Sequence, residues 1–228
     1  MPEFVAVLFS GGKDSVFATF WALEHGFDVV LVTVRPPEYS MMFHHPNIKQ
    51  TRLQAKSLGL KQVFVETTEK NWEERLIGIF RRLGVGGIVT GAIASEYQRR
   101  RIDRIGEALN IPTYAPLWHK DIGLENNPDN SQLFSEMLEY FEIKVSAVSA
   151  EGLGPEFLWE NFRTVVDAKV PNIHPFLEGG EGETFVLDAP FFKSRIAVDT
   201  LTVKKNWDGQ RGVAEIMKAR LIKKRNND

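Results

Sequence analysis

Residues 10–15 read Ser-Gly-Gly-Lys-Asp-Ser, between an apolar run, Phe4–Phe9, and a stretch with helical spacing, Ser15–His25. The glycine pair, Gly11 and Gly12, lets the backbone approach a bound group without interference from Cβ. Amides at the start of the following helix point outward, and the helix dipole favours negative charge there. The hydroxyls of Ser10 and Ser15 can donate to phosphate oxygens, and Lys13 adds a point charge. Asp14 would repel a bare phosphate, so its presence points to a bridging Mg2+ as a metal held by Asp14. A tight turn with an Asp or Ser helix cap is the plainer alternative. The run is not a Walker A loop, whose glycines stand apart, and it is not GxGxxG.

Two more stretches carry chemistry. Thr90-Gly91-Ala92-Ile93 leads into Tyr97, Gln98 and an arginine run, Arg99-Arg100-Arg101 with Arg104. A charge run is by default a solvated helix face, although contact with a phosphate or an acidic partner is open here. Further on, Glu178-Gly179-Gly180-Glu181-Gly182-Glu183-Thr184 alternates carboxylates with glycines. Such a backbone is flexible enough for the carboxylates to converge on a metal or a cation, and a Gly-rich turn with solvated glutamates is the alternative. His44 and His45 have no carboxylate or Cys at ligand spacing nearby, which argues against a metal site there. Asp188 is read as a possible turn cap.

The elements that must position these residues alternate through the first half. Phe4–Phe9, Asp28–Val34, Gln62–Glu66, Gly86–Gly91 and Ile111–Ala115 read as strands. Ser15–His25, Pro46–Leu58, Lys70–Leu83 and Ser95–Leu109 read as the helices between them. This predicts a doubly wound parallel sheet with right-handed crossovers, with ligands at the carboxyl ends of its strands. After Pro116 the pattern changes. Asp129–Phe141 and Leu158–Ala168 read as helices, and Ile143–Ser149, Phe185–Leu187 and Arg195–Val203 as strands. Val213–Ile222 fits helix and strand equally, and Lys223–Asp228 reads as a disordered tail. The expected division is residues 1–117 and a smaller α+β domain over residues 118–228.

Composition mostly excludes. The chain has 228 residues, 28 Lys+Arg against 30 Asp+Glu, and no cysteine. It can bury a substantial core without a disulfide or a structural metal. Zero Cys removes disulfide scaffolds, iron–sulfur clusters, Cys-ligated zinc and thiol nucleophiles. A formal charge of −2 gives no basic footprint for nucleic acid. No leader or membrane span is legible, which with zero Cys fits a cytoplasmic protein. The apolar C-terminal strands are a candidate homodimer surface.

SGGKDS resembles the PP-loop of the N-type ATP pyrophosphatases. The resemblance implies cleavage of ATP between its α- and β-phosphates, with Ser10, Gly11, Gly12, Lys13, Asp14 and Ser15 around the pyrophosphate part. It also implies a HUP-like sheet in the order 3-2-1-4-5. In that order Thr90, Gly91, Ala92 and Ile93 face SGGKDS, and Thr33, Val34 and Arg35 offer backbone groups to the adenine edge. Gly91–Arg101, Pro116-Leu117-Trp118, the Glu178–Pro190 stretch and Arg35-Pro36 together resemble the diphthine–ammonia ligase family, archaeal type, over essentially the whole chain. That resemblance implies ATP-dependent amidation of diphthine on translation elongation factor 2, through an acyl-adenylate, with ammonium as nitrogen source. On this reading Lys13, Asp14, Glu181 and Glu183 are catalytic. Tyr97, Gln98, Arg101, Glu178, Gly179, Gly180, Glu181, Glu183 and Thr184 bind substrate, with Trp159 a further candidate for the trimethylammonium cation.

Other readings stay open at this point. A tRNA-modifying PP-loop enzyme would be expected to show catalytic cysteines or a basic appendage, and neither is present. An ammonia-dependent synthetase for a small acid fits the loop but not the Glu178–Pro190 stretch. A nucleotide-binding sensor has no need of the Mg2+-compatible Asp14.

Overall fold

The computed structural model describes residues 3–35, 47–68, 70–93, 95–118 and 135–224. Pro36, His44 and His45, the first part of the expected helix Asp129–Phe141 and the end of the tail lie outside the described residues. Contacts divide the chain into two units. One is Met1–Ser10, Asp14–Ile48 and Leu60–His119; the other is Gly11–Lys13, Lys49–Gly59 and Lys120–Asp228.

The first unit holds β1 (Phe4–Leu8), α1 (Lys13–Glu24, all but its first residue), β2 (Asp28–Arg35), β3 (Lys61–Glu66), α3 (Trp72–Leu83), β4 (Gly87–Val89), α4 (Glu96–Leu109) and β5 (Thr113–Tyr114). The second unit takes α2 (Thr51–Leu58), which lies between β2 and β3 in the chain. The sheet is five-stranded and parallel in the order β3-β2-β1-β4-β5, as the sequence led us to expect. The apolar runs are explained by burial on both faces. Ala6, Val30, Val32 and Val34 join Trp72, Leu76, Phe80, Ile102 and Ile105 in one core. Their alternates Val5, Val7, Val29 and Leu31 point to the other face and are buried as well. Helix ends follow local chemistry: Ser95 Oγ accepts from the Gln98 amide to start α4, and Gly84, at φ 67°, ends α3. The fifth strand is shorter than expected, pairing only through Thr113 and Tyr114.

The second unit adds α5 (135–140), β6 (Glu142–Val148), α6 (Phe162–Asp167), β7 (Gly182–Asp188), β8 (Ser194–Val198), β9 (Val203–Trp207), β10 (Gly212–Ile216) and β11 (Ala219–Lys223). β7-β6-β10-β9 form an antiparallel sheet, and β11 pairs with β8. Several expectations are corrected here. The expected helix Leu158–Ala168 starts only at Phe162, because Trp159 sits at φ 65° and Asn161 is extended. Arg195–Val203 is not one strand: Asp199 caps a 3-10 turn at Thr200–Thr202 and splits it into β8 and β9. The ambiguous Val213–Ile222 is two strands, β10 and β11, interrupted at Met217-Lys218. The tail's start is ordered. Lys223 closes β11, and Lys224 Nζ lies 2.8 Å from Asp188 Oδ1.

Candidate active site

SGGKDS occupies the turn from β1 into α1. β1 is flanked by β2 on one side and β4 on the other, so the loop leaves the sheet where the strand order reverses. That switch point is where open α/β sheets take ligands. β2 runs on through Thr33, Val34 and Arg35 beyond Val32, which pairs with Leu8, the last residue of β1. Thr33 is fully buried; its hydroxyl donates to the Phe9 carbonyl (2.8 Å) and accepts from Gln62 Nε2 (2.7 Å). Only backbone is therefore left at Thr33 to meet a ligand. Val34 belongs to the core, and Arg35 stacks on Phe64 and pairs with Glu66 at 2.9 Å.

In the first unit, the Ser15 hydroxyl draws in the Ser10 amide and hydroxyl, each at 3.2 Å. Gly91 packs directly on the start of α1. A Cβ there would stand 2.6 Å from the Asp14 carbonyl carbon and 2.8 Å from the Ser15 amide nitrogen. Gly91 is thus demanded by a close approach of backbones, a reason the sequence did not disclose. Thr90 donates its amide to Tyr114, and Ala92 and Ile93 are buried.

In the second unit, Gly11 and Lys13 are held by β7 and α2. Gly11 has φ 83°, the left-handed region that favours glycine. Its carbonyl accepts from the Val186 amide (3.1 Å) and from Gln54 Nε2 (2.8 Å). The Lys13 amide donates to Thr184 Oγ1 at 3.1 Å. This departs from the expectation that the helix-start amides all point outward, since Thr184 takes one of them. The Lys13 side chain is buried. Its Nζ lies 5.5 Å and 5.8 Å from the ring centres of Phe162 and Phe176, and 3.7 Å from Glu178 Oε1. A cation between two ring faces with one carboxylate is a well-compensated buried charge.

Within the second unit, the Glu178–Thr184 stretch therefore meets Lys13 at both ends. Between those ends, Gly179 (φ 71°) and Gly180 (φ 84°) make the turn, and Ser149 Oγ donates to the Gly180 carbonyl. Buried Leu177, just before it, holds φ 55°, a strained value for a branched side chain. The glutamates part rather than converge. Glu178 goes to Lys13, and Glu181 Oε2 accepts from the His174 amide at 2.8 Å. Glu183 lies within β7, on the opposite face of the strand from Thr184. Among the described residues no group of three or more His, Asp and Glu is placed to hold a metal ion. Trp159 is 6% exposed and is held by its backbone amide on Val145.

The arginine run is mostly paired within its own unit. Arg99 meets Asp103, Arg100 meets Glu96, and Arg101 and Arg104 both meet Glu73. Arg101 also stacks 4.2 Å over the exposed Tyr97 ring, while the Gln98 backbone N–H donates to the Ser95 cap. Asp188 accepts from the Ala189 amide, as a turn cap does, and pairs with Lys224. It also lines a cavity of about 350 Å³ with Tyr140, Glu142 and Arg163, residues the sequence did not single out.

Two family models cover most of the chain. The diphthamide synthase N-terminal domain matches residues 4–112, and the diphthamide synthase C-terminal domain matches residues 129–222. The chain belongs to the diphthamide synthase family. Relatives in it include the diphthine–ammonia ligase of Homo sapiens, 30% identical over 87% of this chain and 84% of that protein. The diphthine–ammonia ligase of Schizosaccharomyces pombe is 28% identical over 89% of this chain and 37% of its own length. A solved structure from Methanocaldococcus jannaschii, described as a predicted subunit of tRNA methyltransferase, aligns with 82% of this chain and 98% of that chain. Its identity is 17% and its TM-score 0.43, a likeness that says nothing of function. Both halves of this diphthamide synthase family member carry the family pattern, in order. Among its described residues no helix is long and apolar enough to cross a membrane.

Proposed function

We propose that this chain amidates diphthine on translation elongation factor 2 to diphthamide, using ATP and ammonium. A diphthine carboxylate oxygen attacks the α-phosphorus, and the bond from that phosphorus to the β-bridging oxygen breaks. Pyrophosphate leaves and an acyl-adenylate remains. Ammonia nitrogen then attacks the acyl carbon, the bond to the AMP oxygen breaks, and a proton is released with the amide and AMP. No thiol is required, in keeping with a chain without cysteine.

The observation that carries this reading is the meeting at Lys13 of the family's two glycine-rich motifs. Its amide is on Thr184 and its ammonium beside Glu178. Ser10–Ser15 fit a pyrophosphate: a left-handed glycine, a helix start and hydroxyls lie together in six consecutive residues. Thr33–Arg35 and Thr90–Ile93 are assigned to the adenosine part, through backbone. Tyr97, Gln98, Arg101 and the Glu178–Thr184 stretch are assigned to the acceptor. Lys13 and Asp14 supply charge for phosphate chemistry, while Glu181 and Glu183 serve the cationic acceptor or ammonium. Asp14 would supply one protein carboxylate to a Mg2+ ion brought in with the phosphates, whose charge the ion would neutralise. Residues 1–117 then act as the nucleotide domain and 118–228 as the recognition domain, in a cytoplasmic setting.

The test is pyrophosphate release by the full chain with diphthine-bearing factor, ammonium and Mg-ATP. Without ammonium, release should stop at a single turnover; sustained release should require all three, and both should vanish in Asp14→Asn. Tight ATP binding with no substrate-dependent release would instead mark a sensor.

A further inference from the structure

α2 carries a residue that no motif flagged. Gln54 is fully buried, on the helix face shared with Thr51, Ala55 and Leu58. Its Nε2 donates both hydrogens, to the carbonyls of Gly11 (2.8 Å) and Val186 (2.9 Å). Its Oε1 is buried with no hydrogen-bond partner among the described residues. An unmatched buried amide oxygen is costly. A side chain that accepts this cost is held there by what its nitrogen does.

The Gly11 carbonyl has two lone pairs, and the Val186 amide and Gln54 occupy both. The peptide from Gly11 to Gly12 is planar and trans, so the direction of that carbonyl sets the direction of the Gly12 N–H, opposite to it. Gly11 at φ 83° has no Cβ to resist a flip of this peptide. A flipped peptide would turn the negative end of a carbonyl dipole into the phosphate loop.

We propose that Gln54 is a positioning residue for the nucleotide loop: its amide locks the Gly11–Gly12 peptide with the carbonyl directed away from the phosphates. Gln54 touches no nucleotide itself. The proposal rests on the reading of SGGKDS as the ATP loop. Ser57 provides an internal control. It sits one turn along the same helix and is equally buried, and it ties α2 to β8 through Ser194 and Lys193 without reaching the loop.

The experiment is calorimetric titration of Mg-ATP into the full-length chain, with melting temperature measured alongside. Gln54→Met keeps the side-chain length and removes both donors; it should weaken ATP about tenfold or more, the scale of a misplaced reacting group. Ser57→Ala should lower the melting temperature and leave ATP affinity within about twofold, a few tenths of a kcal/mol. Gln54→Glu adds a readout that a purely structural role would not move. As a carboxylate it offers no donor, and once protonated it regains one. Its ATP affinity relative to wild type should therefore recover as pH falls. Loss of ATP affinity in Gln54→Met but not Ser57→Ala, with that recovery, supports the role. Gln54→Met and Ser57→Ala behaving alike, or a flat Gln54→Glu profile, overturns it. If Gln54→Met does not fold, the Gln54→Glu profile decides alone. Wild-type chain that binds no ATP overturns the nucleotide-loop reading itself, a different failure from a wild type that binds and a Gln54 variant that binds equally well.

Discussion

SGGKDS and the Glu178–Thr184 turn look alike as sequences, each a glycine pair among charged residues, and they are built on different grounds. At Gly11 both conformation and space demand glycine: φ is 83°, and a Cβ would collide with Gln54 Oε1 and come within 2.9 Å of the Thr51 methyl. At Gly179 and Gly180 conformation alone demands it; φ is 71° and 84°, and nothing among the described residues lies within 4 Å of a Cβ. The first is a packed, prearranged turn whose carbonyl is committed. The second is a turn with open space over its glycines, next to a strained Leu177 and a glutamate reaching Lys13. On the proposed assignment the first turn takes a pyrophosphate that is the same in every turnover, and a rigid loop suits it. On the same proposal the second turn meets a protein-borne acceptor that must enter and leave, and an open turn suits that.

The comparison breaks most readily at Gly11. Gly11→Ala adds left-handed strain and overpacking together, a loss of about 3 kcal/mol in folding stability by denaturant titration, with ATP binding abolished. Gly179→Ala adds only the strain, about 1 kcal/mol. Equal losses at the two positions would erase the distinction between a packed and an open turn.

Lys13 and Glu178, where the two turns meet, give the next effect. Lys13→Met should cut pyrophosphate release about 10²-fold to 10³-fold, the range for removing a preorganised electrostatic group. Glu178→Gln should cut it about tenfold, because it frees rather than removes the cation. A double-mutant cycle on stability should show coupling of about 1 kcal/mol, since contacting charges are not additive. Additive effects would mean that the 3.7 Å approach contributes nothing.

How legible was this from sequence? The sheet was legible because burial on both faces leaves unbroken apolar runs such as Phe4–Phe9, and alternation with helices forces parallel pairing. SGGKDS was legible because its residue types are unusual for a plain turn. What escaped had weak local signals. β9 (Val-Lys-Lys-Asn-Trp) is an exposed edge strand, so it lacks the apolar pattern, and Asp199 hides the break before it. The late start of α6 follows from a left-handed Trp159, which no propensity anticipates. Gln54 was missed because glutamine in a helix reads as solvated. The available signal was its spacing with Thr51, Ala55 and Leu58, which puts an amide on the buried face. That the Lys13 amide is spent on Thr184 depends on residues far apart in sequence, and only the fold brings them together.

A third glycine turn, Asp208–Arg211 between β9 and β10, supplies the smallest effect and a control for the other two. Gly209 has φ 104° with nothing among the described residues within 4 Å of a Cβ, as in the open turn. Here, however, the carboxylate is spent entirely on its own loop. Asp208 Oδ1 accepts from the amides of Gln210 (2.8 Å) and Arg211 (2.7 Å). The Gln210 amide, then that of Arg211, holds the Asp208 carboxyl below its ordinary value. A carboxyl lowered in the fold contributes stability that is fully present above its unfolded value. That contribution fades as pH falls through the lowered folded value. Acid titration of stability should therefore show a small loss confined to pH below the ordinary carboxylate range, and Asp208→Asn should lack it. Pyrophosphate release near neutral pH should be the same in Asp208→Asn and wild type. Were Asp208→Asn to impair release, an acidic glycine turn in this chain would affect activity wherever it stood, and the contrast between the packed and open turns would lose its functional meaning.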